Sequence, residues 1–172
     1  MLDNKIIRLR TIEEQDVHYI QKWHNDYETT KNTTLTSFIP RNLEEEKRWY
    51  VNKLTDSNSR IFIIEYIQTL SPIGVVSFSN LDYRNQKAML SIVMGECEYR
   101  GKGLASQALQ LIEGLLVNEF NIRKVTVQIL SFNHPSLSLF RKNGYVEEGC
   151  LKQEVYRNGE FFDLFLMSKF LK

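Results

Sequence analysis

Between Ala88 and Leu116 the chain switches from one repeat period to another across a glycine-bearing loop, and few folds accommodate that change. Ala88-Met89-Leu90-Ser91-Ile92-Val93-Met94 is a short run rich in apolar residues, whose length and branched content suit a buried strand better than a helix. A turn follows, then Arg100-Gly101-Lys102-Gly103-Leu104-Ala105. Leu104, Ala108, Leu111, Ile112 and Leu115 next recur at steps of three and four, which marks one helix face. The first turn of such a helix leaves backbone N–H groups without partners and carries partial positive charge. Gly101 and Gly103 lack the Cβ atoms that would hold an anion away, and Arg100 and Lys102 add charge. The amides from Arg100 to Ala105 therefore form a candidate cradle for a pyrophosphate, although a plain helix start with a glycine turn shares the pattern.

Two known phosphate loops fail on these residues. In a Walker loop four residues separate the first glycine from Gly-Lys, whereas Glu96 to Arg100 separate Gly95 from Gly101, and Gly103 stands where a hydroxyl is required. A dinucleotide fingerprint wants a third glycine where this chain has Ser106, and an acidic residue ending a second strand where it has the helical Glu119.

The rest of the chain bounds the setting. A length of 172 residues with 42% hydrophobic content fits one domain, 1–172, with one well-filled core. The net charge of +1, from interspersed acids and bases, gives no electrostatic case for nucleic acid or membrane. Asp3, Lys5, Arg8 and Arg10 interrupt the opening residues, so no leader and a cytoplasmic location are expected. Cys97 and Cys150 make no metal or redox spacing, and His18, His24 and His134 are too scattered for a metal site.

In order, Lys5 to Arg10 alternates as a first strand, and Thr11 with Glu14 offers a capping box for a helix burying Val17, Ile20 and Trp23. Glu28 to Ser37 reads as a loop. Asn42 begins a second helix, with Leu43, Tyr50, Val51 and Leu54 keeping its rhythm. Arg60 to Ile67, Ile73 to Ser79 and the Ala88 run read as an antiparallel meander. The helix to Val117 returns the chain to a strand at Lys124 to Leu130, a crossover that makes this strand parallel to the Ala88 strand. A short helix follows Asn133 and ends at Gly144, in a left-handed cap. Leu151 to Tyr156 and Phe161 to Phe170 form a hairpin about Asn158-Gly159. The class is α/β, a mixed sheet flanked by helices.

Arg100, Gly103 and Ala105 also fit the Arg/Gln-x-x-Gly-x-Gly/Ala pattern, and Asn133 followed by Leu139-Phe140-Arg141-Lys142-Asn143-Gly144-Tyr145 supplies a second block at the right separation. Together they resemble the GNAT superfamily of acyl-CoA N-acyltransferases over nearly the whole chain. The Arg-Gly-Lys-Gly loop, Glu-Glu-Gly after Val146 and the Asn-Gly hairpin look most like its ribosomal-protein, spermidine and amino-sugar N-acetyltransferase branch.

The resemblance implies a mostly antiparallel twisted sheet with a splayed parallel pair, acetyl-CoA as co-substrate, and no metal. Pantetheine would pair with Val93 and Met94 and with Asn133, the pyrophosphate would rest on Arg100, Gly101, Lys102, Gly103, Leu104 and Ala105, and Arg141 and Lys142 would neighbour the nucleotide or remain solvated charge. The reaction implied is direct attack of a primary amine on the thioester, the acceptor being a small molecule or a peptide. A homodimer is left open, and a non-catalytic acyl-CoA sensor is the alternative. Phe140 stands where many members carry the tyrosine that protonates the leaving thiolate; Tyr156, Ser138, Cys97 or water are the substitutes to consider. Glu96, just past the strand end, is the candidate base or else a turn residue, Gln128 can orient but not take a proton, and Asp163 either faces the acceptor or pairs with a base.

Overall fold

The apolar and alternating runs become seven strands, β1 (Ile7–Thr11), β2 (Arg60–Tyr66), β3 (Ser71–Asp82), β4 (Lys87–Met94), β5 (Lys124–Leu130), β6 (Val146–Arg157) and β7 (Glu160–Phe170). The helices are α1 (Val17–Asn25), α2 (Tyr27–Thr30), α3 (Leu43–Thr55), α4 (Leu104–Asn118) and α5 (His134–Lys142). This architecture comes from a computed structural model that describes residues 2–171. One sheet holds all seven strands in the order β1-β2-β3-β4-β5-β7-β6.

β1 to β4 form an antiparallel meander, and β5, β7 and β6 pair antiparallel beyond it. β4 and β5 are parallel, as the crossover through α4 requires. They pair only at Lys87↔Lys124, Ala88↔Val125 and Met89↔Thr126. Past Met89, β4 keeps its ladder with β3 as far as Gly74↔Met94, and β5 keeps its ladder with β7 as far as Leu130↔Leu164. The two strands therefore part, and their facing edges open a gap.

The main core lies between one sheet face and α4. Leu109, Ile112 and Leu116 are fully buried there against Ile64, Val76 and Phe78. Each such side chain contributes about 1.5–3 kcal/mol by leaving water. The opposite face of β3 and β4 differs: Val75, Ser77 and Ser79 point away from that core, and Ser77 pairs directly with Ser91. Two polar clusters tie the ends together. Arg10 donates to Asp16 and Glu65, joining β1, β2 and the turn before α1. Glu113 of α4 accepts from the Tyr145 hydroxyl (2.8 Å) and from Lys169 of β7 (2.5 Å).

Several sequence expectations shift. β1 starts at Ile7 because Asn4 Oδ1 accepts the Ile6 and Ile7 N–H groups in a turn with Lys5 at φ 74°. The capping box is Glu13 with Asp16 rather than Thr11 with Glu14, since Arg10 holds the Asp16 carboxylate where it can accept the Glu13 N–H. The stretch read as loop from Glu28 opens within α2, which starts at Tyr27 and is capped by the Asp26 carboxylate. In α4 the buried face turns toward Leu109 and Leu116, leaving Leu111 and Leu115 half-buried. α3 forms where its rhythm indicates, with Leu43, Val51 and Leu54 exposed and Glu46 as its buried residue. The Asn42 cap and the Gly144 left-handed turn (φ 86°) form as expected.

Tyr145→Phe removes one donor from buried Glu113 while keeping the ring in place. It should lower stability by about 1–2 kcal/mol, read as a shift of the urea midpoint, and leave the far-UV spectrum unchanged.

Candidate active site

The loop before α4 folds as an anion cradle must. Gly101 and Gly103 adopt left-handed φ of 72° and 77°, and nothing lies within 4 Å of where their Cβ atoms would be. The amides from Gly101 to Ser106 have no backbone acceptor among the described residues. They open at the positive end of a 15-residue helix. The Arg100 amide is different, since it is already bonded to Cys97 O (3.1 Å). The Arg100 guanidinium also turns inward, donating to Met94 O (2.9 Å), Gly95 O (3.2 Å) and Thr29 Oγ1 (2.7 Å). Lys102 is exposed, with its ammonium 5.4 Å from the Tyr99 ring centroid. The cradle is thus mainly backbone.

Three cavities meet beside it. The first, about 380 Å³, is lined by Gly101, Gly103, Leu104 and Ala105 of the loop, by Ile92, Val93 and Met94 of β4, and by Asn133 and Lys142 of α5. The second, about 210 Å³, fills the gap between Met89–Ile92 and Val127–Leu130, with Gln128 and Phe140 in its wall. The third, about 900 Å³, lies over the serine-bearing face of β3 and β4, beneath α1 and α3. Thr33 lines all three, and Val93 lines the first and third. A long, narrow ligand entering at the glycine loop would therefore reach the large cavity at the end of β4.

The segment 29–36 forms the shared wall, and three distant side chains hold it. Arg100 donates to Thr29, and Asn133 Nδ2 donates to Asn32 O (2.8 Å). From the hairpin tip Arg157 donates to Lys31 O, to Thr34 O (2.6 Å) and to Thr36 O (3.4 Å). Asn133 also caps α5, accepting the Ser136 N–H.

Several residues singled out from sequence lie elsewhere. Glu96 does not line these cavities: its carboxylate accepts from Lys22 Nζ (2.7 and 2.8 Å) and from Trp23 Nε1 (2.9 Å). Burial pushes that carboxyl up, but Lys22 and Trp23 more than reverse the effect and hold it below the usual range. Such a carboxylate is a weak base. Directly before it, Gly95 abuts the Trp23 ring so closely that an added Cβ would stand 2.2 Å from it. Tyr156 is exposed and tilted against Phe161, Cys97 is exposed, and Arg141 lies on the solvent side of α5; none lines a cavity named above. Asp163 pairs with Lys152 (2.9 Å) and accepts the Gln153 N–H. Phe140 is buried edge-on against Tyr145, whose hydroxyl is committed to Glu113; burial and then that carboxylate hold the phenol far above its usual pKa.

One pair was invisible to sequence spacing. His24 of α1 lines the large cavity, and its Nδ1 lies 2.8 Å from Glu46 Oε1 of α3, a carboxylate with no solvent exposure. Trp49 meets the imidazole edge-on at 5.4 Å. A carboxylate can only accept, so Nδ1 carries the hydrogen of a neutral His24 and Nε2 holds the lone pair. No local motif links residues 24 and 46, and an acid in the first turn of α3, beside Glu44 and Glu45, is an ordinary helix start in sequence. Among the described residues no group of acidic, histidine and cysteine side chains is arranged to hold a metal ion, and no helix is long and apolar enough to cross a membrane.

Comparison with known proteins agrees with this geometry. Spermidine N(1)-acetyltransferase of Vibrio cholerae is 26% identical over 176 residues, spanning 98% of this chain and 97% of that protein. The ribosomal-protein-serine acetyltransferase of Escherichia coli is 29% identical over 99 residues, 58% of this chain and 55% of its own length. A crystal structure of the Vibrio cholerae spermidine enzyme in complex with CoA and spermine superposes with a TM-score of 0.89 at 24% identity, covering 98% of this chain and 97% of the other, so the fold is shared. The family model described as "Acetyltransferase (GNAT) domain" matches residues 7–146, and this chain belongs to that family.

Proposed function

We propose that this N-acetyltransferase carries the acetyl group of acetyl-CoA directly to a primary amine, with the amides from Gly101 to Ser106 holding the diphosphate and the parted edges of β4 and β5 holding pantetheine. The observation that carries this reading is the unpartnered run of amides opening onto a gap that leads, past Thr33, to the cavity of His24. Acetyl-CoA supplies the activated acyl group and a thiolate leaving group. The chain supplies position, proton removal and charge stabilisation.

Val93 and Met94 present the β4 edge, with Asn133 across the same cavity. The amides of Met94 and Gly95 stand at the strand end as oxyanion donors. His24, held by Glu46, takes the proton of the incoming ammonium, directly or through water, and passes it to solvent. Glu96 serves as the brace joining α1 to the end of β4. Phe140 has no proton to give and the Tyr145 hydroxyl is bound to Glu113, so the thiolate takes its proton from solvent or from Ser138, which lines the first cavity. An ordinary thiol has a pKa of about 8.5, so unassisted departure is tolerable near neutral pH. The reading includes a cytoplasmic setting, and the exposed Leu43, Val51 and Leu54 of α3 favour a homo-oligomer.

Gly103→Val puts a branched side chain at a left-handed position inside the cradle, costing about 1–2 kcal/mol of backbone strain. CoA affinity by calorimetry should fall about tenfold or more while circular dichroism stays native. His24→Ala should lower kcat about 100-fold at neutral pH, and the deficit should shrink as pH approaches the acceptor's own pKa. Unchanged kcat would remove His24 from the reaction. Glu96→Gln should leave kcat within about threefold and lower thermal stability at neutral pH. Because the folded carboxyl titrates low, its contribution is present at neutral pH and lost as pH falls through the folded value, so the wild type and the variant should converge in acid.

A further inference from the structure

The large cavity over the serine face carries a charge pattern that constrains the acceptor. Its charged lining consists of Arg41, Arg48 and Lys53 against one carboxylate, Glu45. Glu45 is exposed and accepts the Asn42 N–H (2.8 Å) in the cap of its own helix, so one negative charge stands against three positive ones. Arg41 lies 3.7 Å from buried Glu46, which offsets it in part. Arg48 makes no hydrogen bond or ion pair among the described residues, and Lys53 interacts only with Asp56, at the end of the same helix. Two cations thus face the cavity with little compensation. Opposite them the sheet offers neutral donors, the paired hydroxyls of Ser77 and Ser91.

A polyamine would bring several positive charges into a space where three cations already face the single carboxylate of Glu45. We propose that the acceptor is a small primary amine that also bears an anionic group, a carboxylate or a phosphate, which Arg48 and Lys53 bind while the amine faces Val93 and His24. The proposal rests on the reading of this cavity as the acceptor site. Guanidinium and ammonium bind both carboxylate and phosphate, so the lining fixes the charge of the ligand rather than its acid group.

The test uses matched pairs of amines with the whole protein and acetyl-CoA: an amino acid against its amide, glucosamine 6-phosphate against glucosamine, and spermidine as a polycation. Thiol release should give kcat/KM at least about tenfold higher for the anionic member of one pair, with spermidine below both members. The pair that shows the preference identifies carboxylate or phosphate. In Arg48→Ala/Lys53→Ala the preference should collapse through KM, with kcat for the neutral member and CoA affinity little changed. Calorimetry of each amine with CoA-loaded protein reads the same preference without turnover. Tighter binding of the anionic amine with no transfer would support this inference and sink the acetyltransferase reading. Preference for spermidine, or no preference for the anionic member in either pair, would overturn the inference and leave that reading intact.

Discussion

The structure depends on two parallel strands that stop pairing. β4 and β5 share three residue pairs and then each follows its outer neighbour, so peptide groups that would close a ladder instead border a gap. Unmade ladder bonds in a sheet interior are costly unless water or a ligand completes them. Here the cost is borne where a chain-like ligand can lie between strands, and the start of α4 sets a row of free amides at its mouth. Binding and sheet geometry are thus the same feature viewed from two sides.

Around that gap the segment 29–36 has little regular structure of its own. Its position comes from Arg100, Asn133 and Arg157, which reach it from the cofactor loop, the start of α5 and the hairpin tip. Asn133 and Arg100 also line the first cavity, so the same two side chains border that cavity and hold the wall of the third. Arg100, which sequence reasoning assigned to phosphate, acts in this structure as the clasp between β4 and that segment.

Local chemistry made much of this legible in the sequence. The change of period about Gly101 and Gly103 announces strand, loop and helix, and Asn158-Gly159 announces its hairpin, because a positive φ or an apolar rhythm is written in adjacent residues. What depends on distant partners was not legible. Asp16 displaced Glu14 in the cap because Arg10 of β1 reaches it. The Leu43, Tyr50, Val51 and Leu54 rhythm announces the helix α3 but not which side it buries: the helix turns Arg48 and Asn52 to a cavity and buries Glu46 to meet His24. The His24–Glu46 pair is tertiary, and Glu96, which lies close in sequence to the strand end, is drawn away by Lys22 and Trp23.

The contact of Gly95 with the Trp23 indole has a broader meaning. With no side chain at residue 95, helix α1 rests directly on the backbone where β4 ends, and His24 follows Trp23 on that helix. The distance of His24 from the end of β4 is accordingly gauged by the thickness of one aromatic ring against bare main chain. A single hydrogen atom in place of a methyl group keeps that gauge, and relatives with bulkier residues at this point would need a thinner ring or a displaced helix to preserve the same reach.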